Sequence, residues 1–383
     1  MNFEFATAAR IIFGAGKLKE IGGIAAGFGR KALIVVGAQT ARAQGLLDQL
    51  SAQAIEFTVL NVAGEPTIEL AQQGVTLARD LGCDMVISYG GGSAIDAGKA
   101  IAALVTNPGE PLDYLEVIGA GQALKRAPLP FVAIPTTAGT GSEVTRNAVL
   151  KSNQQQVKVS LRSAMMLPRV ALVDPDLLAG LSPAVAAATG MDALTQVIEP
   201  YVCNRANPIT DALCREAIPR AARSLRKMVE SPDAHSRADM ALVSLFGGLA
   251  LANSGLGAVH GFAAPIGGMF PAPHGAVCAQ LLPQVWQANV QALRARQPDS
   301  PILARYGEVA RMLSGNLQAN ADDGARWLYD LRAALQIPAF SAYGMAVSDV
   351  PVLVEKSAAA SSMQANPIKL TVEELTKILT EAI

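Results

Sequence analysis

DMVISYGGGSAIDAGKAIAALV, residues 84–105, passes from an apolar run through glycines and a serine into an alanine-rich stretch. The run reads as a strand over residues 84–92 and the stretch after it as a helix beginning at Ala94. Strand, glycine turn and helix in that order make the repeating unit of an α/β fold. The unit recurs on either side. ALIVVG (32–37) ends in glycine before the amphipathic TARAQGLLDQLSAQ, and FTVLNV (57–62) precedes the helical TIELAQQGVTLARDLG. PFVAIPTT (130–137) is a fourth strand, NAVLKSNQQQVKVSL a hairpin-like excursion, and RVALVDPDLL one more strand. Near-continuous apolar strands alternating with helices predict a parallel sheet covered on both faces. Ligands of such sheets sit beyond the carboxyl ends of the strands, which is where the glycine clusters fall.

After Leu181 the pattern changes. Ser182 suits a helix N-cap and Pro183 its first turn, and from there Ala, Leu, Met and charged residues recur at helical spacing. The reading divides the chain into an α/β domain over residues 1–181 and an all-α domain over 182–383.

A chain of 383 residues has room for two cores, and 51% hydrophobic against 16% charged residues excludes a mainly disordered one. The net charge of −1 offers no basic excess for nucleic acid or an anionic membrane surface, so neither is expected as a partner. Cys83, Cys203, Cys214 and Cys278 form no CxxC pair and read as buried, reduced thiols. The opening MNFEFATAARIIF lacks the pattern of a secretory signal, so a cytoplasmic location is expected. Between Asp239 and Arg294 there is no Asp, Glu, Lys or Arg, but glycines and prolines interrupt that run repeatedly. It suits the interior of a helical domain better than a membrane span.

Two loops carry candidate ligand chemistry. Gly91, Gly92 and Ser93 join a strand end to a helix start, where unpaired N–H groups and a positive dipole end favour a phosphate. The turn alone fits a plain βα connection equally well. The second loop, residues 135–143 (PTTAGTGSE), is rich in hydroxyls and backbone donors. Two such loops at strand ends favour a dinucleotide.

GGGSAIDAGKA and PTTAGTGSEVT together resemble the paired signature of the iron-containing (group III) alcohol dehydrogenases. VDPDLL, ATGMDALTQVIEPYV and GLGAVHGFAAPIGGMFPAPHGAVCAQLLP extend the resemblance over nearly the whole chain. It implies a dinucleotide-binding α/β domain, a helical metal- and substrate-binding domain, a cleft holding a divalent metal, and a dimer or larger homo-oligomer. Cofactor contacts carried over from the family are Gly91, Gly92, Ser93 and Asp96, then Thr136, Thr137 and Thr140, and Lys158 from the hairpin. Asp96 is expected in the first turn of its helix, where a carboxylate also simply complements the dipole. NAD-preferring members resemble one another in an Asp after the strand matching ALIVV. Gly37 stands there in this chain, which leaves room for a 2′-phosphate and points to NADP over NAD.

The resemblance also implies a metal site of Asp192, position 196, His260 and His274. Asp192 and Gln196 share a helix face, and both histidines lie in the charge-free run. Position 196 is a histidine in the family, and the glutamine here is a poorer ligand for Fe²⁺ or Zn²⁺. The family often carries a histidine four residues after His260, sometimes proposed as a proton relay; here that position is Ala264. His235, in a polar turn, is given no role. Phe262, Met269 and Phe270 are candidates for the substrate pocket. No catalytic acid or base is identifiable. The expected activity is hydride transfer between NAD(P) and a small primary alcohol or aldehyde. A metal-free or metal-weak member, a non-catalytic dinucleotide-binding protein, and a relative of dehydroquinate synthase or glycerol dehydrogenase are the competing readings.

Overall fold

The computed structural model describes residues 2–383. Among these residues eight strands form: β1 (Ile11–Phe13), β2 (Lys31–Gly37), β3 (Glu56–Val62), β4 (Met85–Gly90), β5 (Phe131–Pro135), β6 (Asn147–Ser152), β7 (Val157–Arg162) and β8 (Val170–Val173). Six make one parallel sheet in the order β1-β8-β5-β4-β2-β3. Strands β6 and β7 form the separate antiparallel hairpin. The fold class is the α/β-plus-helical one the sequence predicts. β1 is an addition: its three residues are too few to carry a pattern, and pairing with β8 creates the strand.

Helices α1 (Ile21–Ala26) and α2 (Gln44–Ser51) cover one face of the sheet, and α3 (Ile68–Asp80) and α4 (Gly92–Thr106) the other; α5 (Pro111–Tyr114) is a single turn. Successive strand residues point to opposite faces. Leu33 and Val35 therefore enter the core under α3 and α4, while Ile34 and Val36 enter the core under α1 and α2. Burial on both sides is why ALIVV carries no polar alternation.

The chain leaves β2 for β3 on one side and reaches β4 on the other, so the strand order switches between β2 and β4. Such a switch opens a crevice at the carboxyl ends, here Gly37 and Gly90. Gly90 is fixed by space: a Cβ there would lie 2.6 Å from the Ala94 Cβ and 3.1 Å from the Gly37 nitrogen. Strand β4 stops at Gly90, short of Gly92, and α4 begins at Gly92, with Gly91 as N-cap, two residues before the expected start. Asp96 is consequently the fifth helical residue, in the second turn and not the first, which corrects the dipole reading of its place.

The chain forms two compact units, residues 6–137 with 141–179, and residues 2–5, 138–140 and 180–383. The second is helical: α6 (Pro183–Val202), α7 (Pro208–Glu230), α8 (Ala234–Asn253), α9 (Ala258–Met269), α10 (His274–Arg296), α11 (Pro301–Ser314), α12 (Ala321–Ala334), α13 (Val350–Ala358) and α14 (Val372–Thr380). The Ser182 hydroxyl caps α6 by accepting from the Val185 N–H at 3.4 Å, with Pro183 in its first turn. Helix α6 packs against α7, α8 and α10. The charge-free run is divided among α8, α9 and α10, and α8 and α9 meet at 97°. Among the described residues no single helix is long and apolar enough to cross a membrane.

Candidate active site

Helix α6 carries Asp192 and, one turn on, Gln196; both are buried, at 1% and 2% exposure. Helix α9 brings in His260, and His274 is the first residue of α10. Gly275 lets α10 start this close to α6, since a Cβ there would lie 2.3 Å from the Ala188 carbonyl oxygen. Asp192 Oδ1 then stands 3.3 Å from His260 Nε2 and 3.7 Å from His274 Nε2. The histidine rings are 5.5 Å apart between centroids.

Cys278, one turn after His274, completes the cluster. Its Sγ lies 3.8 Å from each of the two Nε2 atoms, and the four ligand atoms all fall within 4.8 Å of one another. The sequence alone reads Cys278 as a buried, reduced thiol and gives it no place in the site. Three of the four groups are buried, while the His274 side chain keeps 35% of its surface exposed.

His260 Nδ1 lies 2.6 Å from Glu199 Oε2, and the other oxygen of Glu199 accepts from the Val259 N–H at 2.8 Å. Glu199 favours a proton on Nδ1, and Nε2 faces Asp192. A carboxylate behind a histidine in this way fixes the ring and raises its basicity as a ligand. Burial disfavours a charged His260, but Cys278, Asp192 and Glu199 outweigh it and hold its pKa well above the ordinary value. Burial also works against Asp192, yet His274, His260 and Gln196 pull its carboxyl down to about 2. Burial pushes the Cys278 thiol up to about 12, against the pull of His260.

The cluster fits a cation. Asp192 Oδ1 and Gln196 Oε1 are buried without a hydrogen-bond partner, an arrangement that costs about 1–3 kcal/mol for each neutral group and more for a charged one. The Gln196 amide nitrogen donates to the Gly139 carbonyl at 3.2 Å, which fixes the side chain. A four-coordinate ion with bonds of about 2.0–2.3 Å has ligand–ligand edges of roughly 3.3–3.8 Å, and the two separations from Asp192 Oδ1 to the imidazoles and the two from Cys278 Sγ to them fall in that range.

Ala264 is exposed and carries no titratable group. Phe262 is fully buried, so it serves the core and cannot line an open pocket; Met269 and Phe270 are half-buried. His235 lies on the surface, 3.4 Å from Asp239.

In the α/β unit, the ends of β2, β4 and β5 bring Gly37, Gly91, Gly92, Ser93, Thr136 and Thr137 together. The Thr136 N–H donates to the Gly90 carbonyl at 2.9 Å, and a Cβ on Gly91 would lie 3.2 Å from the Thr137 hydroxyl. The amides of the first turn of α4 have no helical acceptors. Thr140 falls in the short segment that groups with the helical unit. Lys158 is ion-paired with Glu65 at 2.8 Å. Asp96 accepts from the Ser142 hydroxyl and from the Val149 N–H at 3.0 Å, so the chain's own groups engage both its oxygens.

Lys99, not singled out in the sequence, organises the second loop. Its buried ammonium donates to the Ser142 carbonyl (2.8 Å), the Thr145 hydroxyl (3.0 Å) and the Asn147 carbonyl (2.7 Å), and lies 3.8 Å from Asp96. Burial brings its pKa down to about 8, with Asp96 and Glu143 pulling the other way.

Residues 8–175 match the family model for iron-containing alcohol dehydrogenase, and residues 186–383 match that for the family's C-terminal domain. The chain belongs to the iron-containing alcohol dehydrogenase family. It is 35% identical to alcohol dehydrogenase 4 of Saccharomyces cerevisiae over 378 residues, covering 97% of this chain and 96% of that one. A crystal structure of 1,3-propanediol oxidoreductase superposes with a TM-score of 0.92 at 31% identity, over 100% of both chains. Sulfoacetaldehyde reductase from Bifidobacterium kashiwanohense, solved in complex with NAD⁺, gives 0.87 at 26% identity over 100% of this chain and 99% of that one. This member of the family is an oxidoreductase, an alcohol dehydrogenase acting in the aldehyde-reducing or alcohol-oxidising direction.

Proposed function

We propose that this alcohol dehydrogenase interconverts small aldehydes and primary alcohols, with NADP(H) preferred over NAD(H) and a divalent cation in the helical unit. The observation that carries the reading is the pair of buried oxygens without a hydrogen-bond partner, Asp192 Oδ1 and Gln196 Oε1, beside two imidazoles. Asp192, His260 and His274 would hold the cation, Fe²⁺ by family or Zn²⁺, with Gln196 in support.

When bound, the cation supplies Lewis acidity toward an alcohol or carbonyl oxygen, and the nicotinamide supplies or accepts the hydride. The chain's own part is positioning. Glu199 favours a proton on Nδ1 of His260, so that Nε2 would be the nitrogen that gives up its proton to ligate. The first-turn amides of α4, Ser93 and the threonine hydroxyls would bind the pyrophosphate, and Lys99 holds the second loop in shape. Lys158 would assist once released from Glu65. Ala264 at the relay position offers no imidazole to move a proton, which would leave that role to water, the ribose hydroxyls or another cofactor group.

For the dinucleotide, Gly37 ends β2 without a carboxylate. Asn61 donates to the Gly37 carbonyl and to the Thr40 hydroxyl, both at 2.9 Å, so the rim there is small and uncharged. Such a rim removes the repulsion a 2′-phosphate would meet. In this reading the α/β unit holds the dinucleotide and the helical unit the cation and substrate, and the active form is a dimer or larger. The test is turnover of Asp192→Ala and His260→Ala with NADPH and small aldehydes. Both variants should lose nearly all activity; near-wild-type rates in either would refute the cation site.

A further inference from the structure

The glutamine at position 196 leaves the family's ligand set one imidazole short, and the structure offers a replacement that comes from a different helix. We infer that the Cys278 thiolate is a direct ligand of the cation, forming with Asp192, His260 and His274 a set of two nitrogens, one oxygen and one sulfur that selects zinc over iron(II). This rests on the reading of the cluster as a cation site.

Geometry comes first. Cys278 Sγ is equidistant, at 3.8 Å, from His260 Nε2 and His274 Nε2. For bonds of about 2.0 Å to nitrogen and 2.3 Å to sulfur, a tetrahedral nitrogen–sulfur edge is roughly 3.5–3.6 Å, so small side-chain shifts close the set. His274 and Cys278 are four residues apart on α10 and face the same way, as Asp192 and Gln196 do on α6. The second observation is independent of the cysteine. Asp192 Oδ1, 1% exposed and without a hydrogen-bond partner, points into the same space, within 4.8 Å of the sulfur.

Donor chemistry then decides between the two candidates for the fourth place. The Gln196 oxygen is a neutral amide donor, whereas a thiolate is charged and soft. On ligation the thiol proton passes to solvent, and the sulfur remains a thiolate because the cation stabilises it. Mixed nitrogen, oxygen and sulfur sets at tetrahedral spacing favour zinc. Of the other cysteines, Cys83 lies in the α/β unit, and Cys203 and Cys214 are outside the cluster.

Cobalt(II) reports the sulfur directly. The full chain, stripped with a chelator and reloaded with Co²⁺, should show visible d–d bands together with a near-ultraviolet thiolate-to-cobalt charge-transfer band. C278S and C278A should keep the d–d bands, lose the charge-transfer band, and bind zinc roughly 100-fold more weakly, the upper end of what even outer partners of a ligand contribute. Wild-type d–d bands without a charge-transfer band would overturn the cysteine ligand and leave the cation site standing. Absence of any cobalt binding by the wild-type chain would overturn both.

Discussion

Glu199 Oε2 lies 2.6 Å from His260 Nδ1, behind the ring whose other nitrogen faces Asp192. The carboxylate decides which nitrogen carries the proton and how strongly the other donates. Glu199→Gln keeps the shape and removes the charge. It should weaken cation binding by about 10- to 100-fold, with a corresponding loss of activity at limiting metal. Competition against a chromogenic chelator measures it, and an unchanged affinity would show that Glu199 serves only to cap the Val259 amide.

At the end of β2, a Cβ on Gly37 would meet nothing closer than the Gly90 Cα at 3.8 Å, so a side chain fits. Gly37→Asp should shift preference toward NADH. An aspartate there adds charge-assisted hydrogen bonds to the ribose hydroxyls and repels a 2′-phosphate. The ratio of kcat/KM for the two cofactors should change by roughly 10- to 100-fold, the equivalent of about 1.5–3 kcal/mol. A wild-type enzyme already strongly selective for NADH would discard the premise.

Lys99→Met removes a buried ammonium that holds Ser142, Thr145 and Asn147 in place. Leaving those acceptors and Asp96 without their cation should cost about 3–5 kcal/mol. That corresponds to a fall in melting temperature on the order of 10 °C. KM for the dinucleotide should rise more than KM for the aldehyde, because the loop and not the helical unit is disturbed. Equal effects on both would point to general destabilisation.

Glu143, buried beside Lys99, has its pKa raised from 4.5 to about 7 by burial, against its backbone contacts and Lys99. A folded-state value above the unfolded one means the folded chain binds more protons between those limits. Its contribution to stability is therefore complete below about pH 4.5 and is lost as pH rises through about 7. Urea unfolding across that window should show wild-type stability declining relative to Glu143→Gln as pH rises. Parallel curves would contradict a raised Glu143.

How much of this was legible in the sequence follows from which interactions are local. Strands β2, β4 and β5 stood out because both faces are buried and the apolar run is unbroken, whereas β1 owes its existence to β8 and shows no pattern of its own. Asp192 and Gln196 were legible only through the resemblance to the family, with their four-residue spacing consistent with one helix face, whereas His260 and His274 also stood out as two imidazoles in a run without charges. Glu199 and Cys278 were not, because their roles depend on how α6, α9 and α10 pack. One signal was available for Cys278: it follows His274 by four residues, which puts both on one face of a helix. Lys99 sits in the glycine-rich motif, but its partners are more than 40 residues away, in the second loop and at the start of β6.

The most direct test of the central claim is NADPH oxidation by the chelator-stripped chain with a panel of small aldehydes, before and after one equivalent of Zn²⁺ or Fe²⁺. The account predicts negligible turnover without metal, recovery at a stoichiometry of one per chain, and no recovery in Asp192→Ala. Full turnover by the stripped chain, or nucleotide binding with no oxidation of any aldehyde in the presence of either metal, would contradict it.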